Sequence, residues 1–254
     1  VTRELQAELA ELKATWEALG ASDPLWASLT RPETRGGRWD AAAFLATGEE
    51  RVAAIELKLA ALDLVPQRRA ALDFGCGPGR LTAALARRYT HAFGFDLAGS
   101  MVRAARRLVG PCAVFTAQTW DSPTLACYVS GTFDFVLSLL TLQHTGPALA
   151  AAYIQELARV TAPGGILVLQ VPDARASEPP AELQAADPGE APAMRMVEVP
   201  EAVVDGALAA GGAAVVAFES SPWSCPGWQD RWYYARKGNG ADGRPGGRDE
   251  RATG

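Results

Sequence analysis

The sequence predicts a doubly wound α/β fold: a mostly parallel seven-stranded sheet with an antiparallel last strand and an N-terminal helical cap. Three observations carry this reading. Short apolar runs near 70–74, 91–96, 112–117, 133–139 and 165–171 alternate with helix-length segments, a βαβ series whose right-handed crossovers put helices on both faces of a parallel sheet. Gly75, Gly77 and Gly79 follow the first run directly, as in a tight turn from strand to helix. Two more strand-like runs, 213–220 and 230–237, come last, and the loop joining them allows the final strand to run antiparallel.

The first 64 residues read as the helical cap or lid. Leu5, Leu9, Leu12, Trp16 and Leu19 form a helical stripe, and 40–64 reads as further helix interrupted by Gly48. The turn-rich stretch between them carries Trp26 and Trp39, so it is expected to pack rather than to hang free. Residues 65–237 form the core, in which 172–200, dense in Ala, Pro, Glu and Asp, is expected to be a lid or an insertion. A helix is expected near 200–210, and 238–254, with almost nothing to bury, is expected to be disordered.

Composition narrows the function. The chain has 254 residues, 48% of them hydrophobic, enough for one large domain with a substantial core. A net charge of −5 offers no global attraction to nucleic acid or to an anionic membrane surface. Cys76, Cys112, Cys127 and Cys225 are far apart, with no paired spacing and no histidine arranged beside them as a metal site. Reduced thiols and a cytoplasmic location are expected, because the N-terminus reads as a charged amphipathic helix and no apolar run is long enough to span a bilayer.

The glycine loop points to the ligand. A dinucleotide fingerprint would place its third glycine at position 80, which is Arg80. The strand before the loop carries Asp73, which would repel a pyrophosphate but attract an ammonium or sulfonium group. The next strand ends in Asp96, about twenty residues after Gly75, the spacing at which a carboxylate accepts hydrogen bonds from ribose hydroxyls. Cys76 reads as a small packing residue between two glycines.

With these residues the chain resembles the class I S-adenosylmethionine-dependent methyltransferases, of the type acting on small molecules. The resemblance rests on Asp73-Phe-Gly-Cys-Gly-Pro-Gly79, on Gly94-Phe-Asp-Leu-Ala-Gly-Ser-Met101, and on the segments 133–144 and 157–170. It implies a Rossmann-like core, S-adenosylmethionine as methyl donor and S-adenosylhomocysteine as product. It implies cofactor contacts from Asp73, Gly75, Cys76, Gly77, Gly79, Asp96, Leu97, Met101 and Leu139, and from Ala117, Gln118 and Thr119 at the end of the third strand. At Gln118 the family often has an acid that receives the adenine amino group; the amide oxygen can accept the same bond. Trp120 is either a wall of the adenine slot or a core residue.

Methyl transfer from a sulfonium is an in-line displacement in which positioning supplies much of the acceleration. A base helps a hydroxyl acceptor, and His144, just past the fourth strand, is the base candidate; the alternative is that it simply opens the next helix. Gln143 is a candidate for hydrogen bonding to substrate, and Trp39, Trp223 and Trp228 are candidates for the substrate mouth. His91, at the start of the second strand, reads as structural. No metal is expected, because Ser138-Leu-Leu-Thr141 lacks the carboxylates of a metal-dependent enzyme. The same stretch lacks the Asn/Asp-Pro-Pro-aromatic motif of nucleic-acid amino methylation, and Pro78 stands where a polyamine synthase would carry an acid. The expected function is methyl transfer to an O or N atom of a small molecule. The alternative is a non-catalytic domain that binds S-adenosylmethionine or S-adenosylhomocysteine as a scaffold or regulator. A monomer and a homodimer are equally open.

Overall fold

The computed structural model describes residues 2–112, 114–175, 194–222 and 228–239. Seven strands form one sheet: β1 (Ala70–Phe74), β2 (His91–Asp96), β3 (Phe115–Thr119), β4 (Phe133–Ser138), β5 (Thr161–Arg175), β6 (Ala213–Pro222) and β7 (Trp228–Lys237). Their order is β3-β2-β1-β4-β5-β7-β6. The first five pair in parallel, and β7 runs antiparallel to both β5 and β6. The fold class is the one the sequence predicts.

β4 lies between β1 and β5, is buried along its whole length, and has the near-continuous apolar run of a strand covered on both faces. One face is covered by α3 (Ala41–Ala61) and α4 (Arg80–Ala86), through Val52, Ile55, Leu59, Leu81 and Leu85. The other is covered by α6 (Pro147–Val160) and α7 (Glu201–Ala210), through Leu149, Ile154, Leu157, Val204 and Leu208. α5 (Gly99–Val109) packs Val102 and Ala105 against Ala117 of β3. The chain reverses its strand order between β1 and β4, the place where a doubly wound sheet opens a crevice beyond its carboxyl ends.

The N-terminal segment covers that crevice. α1 (Arg3–Ser22) is started by Thr2, whose hydroxyl accepts from Leu5 N, and α2 (Pro24–Ser28) by Asp23, which accepts from Trp26 N. Glu17 fixes α1 on α5 by accepting from Ser100 N at 3.0 Å and pairing with Arg103 at 2.9 Å. Glu8 accepts from Gly146 N at the start of α6. α3 differs from α1 and α2 in that it belongs to the sheet's own covering layer.

Three details depart from the sequence reading. β3 starts at Phe115 rather than near 112, in register with β2 through Ala92↔Phe115 and Asp96↔Thr119. β5 begins four residues early and irregularly, with a register shift between Phe133 and Phe135. α3 is one continuous helix: Gly48 does not interrupt it but lets the backbone of α4 approach. The expectations for most of 172–200 and for 240–254 fall on residues outside those described, as does Trp223, while Trp228 is placed only as the first residue of β7.

Candidate active site

The glycine loop folds back over the end of β2. Gly75 N and Cys76 N both donate to Phe95 O, at 2.7 and 2.8 Å, and Gly77 N donates to Asp96 Oδ2 at 2.8 Å. Gly75 sits at φ 79°, and a Cβ there would lie 2.0 Å from Thr141 Oγ1. Gly77 sits at φ 51°, where a Cβ would lie 2.7 Å from Ser28 Oγ. Both positions therefore demand glycine for backbone angle and for space. Thr141 Oγ1 closes the loop from the β4 side through Leu139 O at 3.0 Å and Gly75 O at 3.4 Å.

The two acids predicted together occupy different places. Asp96 lines the cavity beyond β1 and β4 and is held by Gly77 N and by Ala98 N, the latter at 2.9 Å to Oδ1. Desolvation pushes its pKa up to about 6, against the pull of those two backbone donors. Asp73 is 1% exposed and lies beneath the loop, not on the cavity wall. Its Oδ2 accepts from Thr82 Oγ1 at 2.6 Å, its Oδ1 has no partner, and burial pushes its pKa up to about 6, with Asp96 contributing repulsion. Cys76 is buried between them; desolvation and the two carboxylates push its thiol pKa up, so it stays protonated and inert.

Leu97, Met101 and Trp120 line one end of the cavity, and Leu139 and Leu140 line the β4 end. Trp120 is held by its Nε1 donating to Thr124 O at 2.6 Å and by stacking on Phe95. Leu140 has φ 58°, a left-handed conformation that costs a non-glycine residue about 1–2 kcal/mol. Ala117, Gln118 and Thr119 lie at the end of β3, away from the cavity wall; Ala117 O instead accepts from the Arg106 guanidinium at 2.7 Å. Gly79 caps α4 and packs towards Ala105 and Phe115. Trp39 is also off the wall, donating to Leu29 O at 3.2 Å and meeting Phe44 edge-on. His91 is exposed at the start of β2, the strand end opposite the cavity.

His144 and Gln143 sit in a single 3-10 turn, Leu142–His144, on the cavity wall. His144 Nδ1 lies 2.8 Å from Arg195 O, so this nitrogen donates, and Nε2 then accepts from Gln143 Nε2 at 3.0 Å. Trp16 of α1 meets the ring edge-on at 4.8 Å. Burial pushes the imidazole pKa down to about 4, so the ring is neutral at physiological pH. The Gln143 carboxamide is left with a buried, unpartnered Oε1. The segment after the undescribed 176–193 is tied to this turn by Val197 N donating to Gln143 O at 2.7 Å.

The sequence reading missed several lining residues, among them Leu12 and Trp16 of α1, Ser28 and Thr30 after it, Arg80 and Tyr153. Trp16 was legible only as one member of an amphipathic stripe. Arg80 was noted only as a departure from a glycine pattern. Among the described residues no group of three or more His, Cys, Asp and Glu side chains is placed to hold a metal, and no helix is long and apolar enough to cross a membrane.

Residues 71–165 match the family model of the methyltransferase domain. The chain is 36% identical to a trans-aconitate 2-methyltransferase of Delftia acidovorans over 139 residues, 54% of this chain and 50% of that one. It is 34% identical to the enzyme of the same name from Methylobacterium nodulans over 157 residues, 61% of this chain and 57% of that one. The chain thus spans about half the length of the curated relatives it matches. In fold it is similar to magnesium protoporphyrin IX methyltransferase of Synechocystis PCC 6803, solved with bound S-adenosylhomocysteine, at TM-score 0.62 and 20% identity over 91% of this chain and 99% of that one. A putative sarcosine dimethylglycine methyltransferase of Galdieria sulphuraria aligns at TM-score 0.57 and 15% identity, over 92% of this chain and 99% of that one. Glycine loop, strand order, matched domain and relatives agree: residues 71–165 are a methyltransferase domain, set in a sheet of the class I S-adenosylmethionine-dependent type.

Proposed function

We propose that the protein transfers the methyl group of S-adenosylmethionine to an oxygen of a small carboxylic acid, the kind of acceptor named in the trans-aconitate methyltransferase relatives. The observation that carries the cofactor half of this reading is Asp96: a carboxylate on the cavity wall, oriented by two backbone N–H groups, beside a loop in which a Cβ at Gly75 or Gly77 would fill the space. S-adenosylmethionine, when bound, supplies a methyl group on a positively charged sulfur, activated for in-line displacement. Asp96 accepts from the ribose hydroxyls, and Leu97, Met101 and Trp120 form the apolar slot for the adenine ring. Gln143 Oε1 takes a hydroxyl or ammonium donor from the bound molecules, which relieves a buried unsatisfied oxygen. α1 and α2 exclude water from the reacting atoms.

No general base is needed for such an acceptor, because a carboxylate is already deprotonated at neutral pH. What supports a positioning role for His144 is that its proton sits on Nδ1 and its other lone pair is taken by Gln143. His144→Gln is expected to leave kcat within about threefold and to raise the KM of the acceptor, whereas loss of a base would lower kcat by about 100-fold or more. The same variant tests the titration. A histidine with a lowered folded pKa binds fewer protons than in the unfolded chain, so its contribution makes stability rise with pH between about 4 and 6.5, over a range of about 3 kcal/mol. Asp73 and Asp96, raised to about 6, act with the opposite sign in the same window. The contribution of His144 is therefore read from the difference between parent and variant in urea unfolding from pH 4 to 7.

The test of the function is a turnover assay with methyl-labelled S-adenosylmethionine, trans-aconitate and a panel of related acids. Methyl ester formed in step with S-adenosylhomocysteine is the expected result. Tight S-adenosylhomocysteine binding with no transfer to any acid or to a cell extract would instead fit a cofactor-binding scaffold.

A further inference from the structure

A second, smaller cavity of about 110 Å³ lies beside the main one, between α1, the start of α6 and the segment 194–197. The two cavities share a wall of four side chains: Leu12 and Trp16 of α1, His144, and Met194. The outer cavity touches none of Asp96, Leu97, Met101 and Trp120, so it abuts the main one away from the residues assigned to ribose and adenine. His144 is fixed in the shared wall. Its Nδ1 is bound to Arg195 O and its Nε2 to Gln143, while Val197 N, donating to Gln143 O, ties the same segment to the turn. Trp16 is held differently. Its indole is half-buried, meets the His144 ring edge-on at 4.8 Å and packs towards Leu19, Ala27, Ala98 and Met101, and its Nε1 has no hydrogen-bond partner among the described residues. Packing alone places the ring, so removing it opens space without orphaning a buried polar group.

We propose that Trp16 limits the size of the acceptor: its indole closes the inner cavity against the outer one and stops an acid whose tail runs past His144. With the nucleoside end of the main cavity assigned to the cofactor, the wall at Trp16 and His144 is the part left to face the acceptor. Leu12, Trp16 and Met194 make that wall mostly apolar, and such a surface is matched by hydrocarbon rather than by charge. Beyond it the outer cavity is edged by Glu8 and Glu11, whose carboxylates repel a second acid group. The tail that the wall stops is therefore uncharged. An apolar cavity of about 150 Å³ takes a benzene ring, so the outer cavity has room for about four further carbon atoms. The inference rests on the proposed transfer to a carboxylic acid and adds to it the residue that decides how long that acid is.

The test is methyl transfer from labelled S-adenosylmethionine to two series of acids with uncharged tails. One is the straight-chain acids from butanoate to dodecanoate, the other the monoalkyl esters of trans-aconitate from methyl to hexyl. In the parent, kcat/KM is expected to drop about tenfold or more at the first member that meets the wall, the usual effect of one methylene too many in a closed pocket. Trp16→Ala should move the drop by about four carbons and raise kcat/KM just past the parent's limit about 10- to 100-fold. Calorimetry should find S-adenosylhomocysteine bound by this variant within about threefold of the parent. Met194→Ala makes a smaller opening in the same wall, should move the drop by about one carbon, and keeps the inference testable if Trp16→Ala does not fold. An unmoved limit, with shorter acids still methylated, overturns the inference and leaves the acid acceptor standing. An unmoved limit together with a loss of S-adenosylhomocysteine affinity assigns the indole to the cofactor, which overturns it equally. No methyl ester from any acid, trans-aconitate included, would remove the proposed acceptor and the inference with it.

Discussion

Asp96→Asn is expected to weaken S-adenosylhomocysteine binding by about 100-fold without lowering the melting temperature of the ligand-free protein at pH 8. The binding loss follows from the chemistry of the ribose: two hydroxyls donating to an ionised carboxylate are each worth about 1.5–3 kcal/mol, and asparagine offers one neutral oxygen in their place. The stability balance has two opposing parts. Holding Asp96 ionised in a desolvated place costs about 3 kcal/mol at pH 8, given a pKa raised to about 6, and the substitution removes that cost. Against this, the asparagine NH2 must face either Gly77 N–H or Ala98 N–H, and a donor set against a donor costs about 1–3 kcal/mol. The two parts are of similar size, so the fold is kept while the ligand is lost.

The same residue gives the pH dependence of binding. Ribose donors favour the ionised form, so a group with a free pKa of about 6 must release its proton to bind, and Kd should rise as pH falls below 6, approaching tenfold per unit. Asparagine removes that slope, and any slope remaining belongs to Asp73. Calorimetry between pH 5 and 8 measures both. Unchanged S-adenosylhomocysteine affinity in the variant would take Asp96 out of the ribose site.

The glycine loop, Asp96 and the strand series were legible because each is a local requirement that only a few residue types meet. A turn at φ 79° against Thr141 admits glycine alone, and a strand covered on both faces reads as a near-continuous apolar run. Where partners distant in sequence decide, the sequence was silent. Asp73 and Asp96 look alike as strand-end acids, and only packing buries one under the loop and exposes the other to the cavity. His144 falls where a base would be useful, yet its tautomer is set by the carbonyl of Arg195, 51 residues along the chain, and its neutral state by burial. The stripe Leu12 and Trp16 has the spacing of any amphipathic helix; that it roofs the cavity depends on Glu8 reaching Gly146 and Glu17 reaching Ser100. β3 slid from its apolar run to the register that β2 imposes.

Gly48 shows the same limit most sharply, and the strongest stability prediction follows from it. In an exposed helix, glycine to alanine gains about 1 kcal/mol through backbone entropy. Gly206 of α7 is such a place: a Cβ there has nothing within 4 Å, and Gly206→Ala should stabilise by about that amount. At Gly48 the sign reverses. A Cβ would stand 2.1 Å from Arg80 O and 2.6 Å from its carbonyl carbon, main-chain atoms that cannot rotate away, so α3 and α4 must separate. Overpacking of this kind costs about 1–3 kcal/mol and sometimes more, and a clash with backbone belongs at the upper end, leaving a net loss of about 2 kcal/mol after the gain in helix propensity. In a domain of this size that lowers the melting temperature by about 4–8 °C. Equal melting shifts of the same sign for the two glycine variants would show that α3 and α4 do not approach as closely as their backbones require.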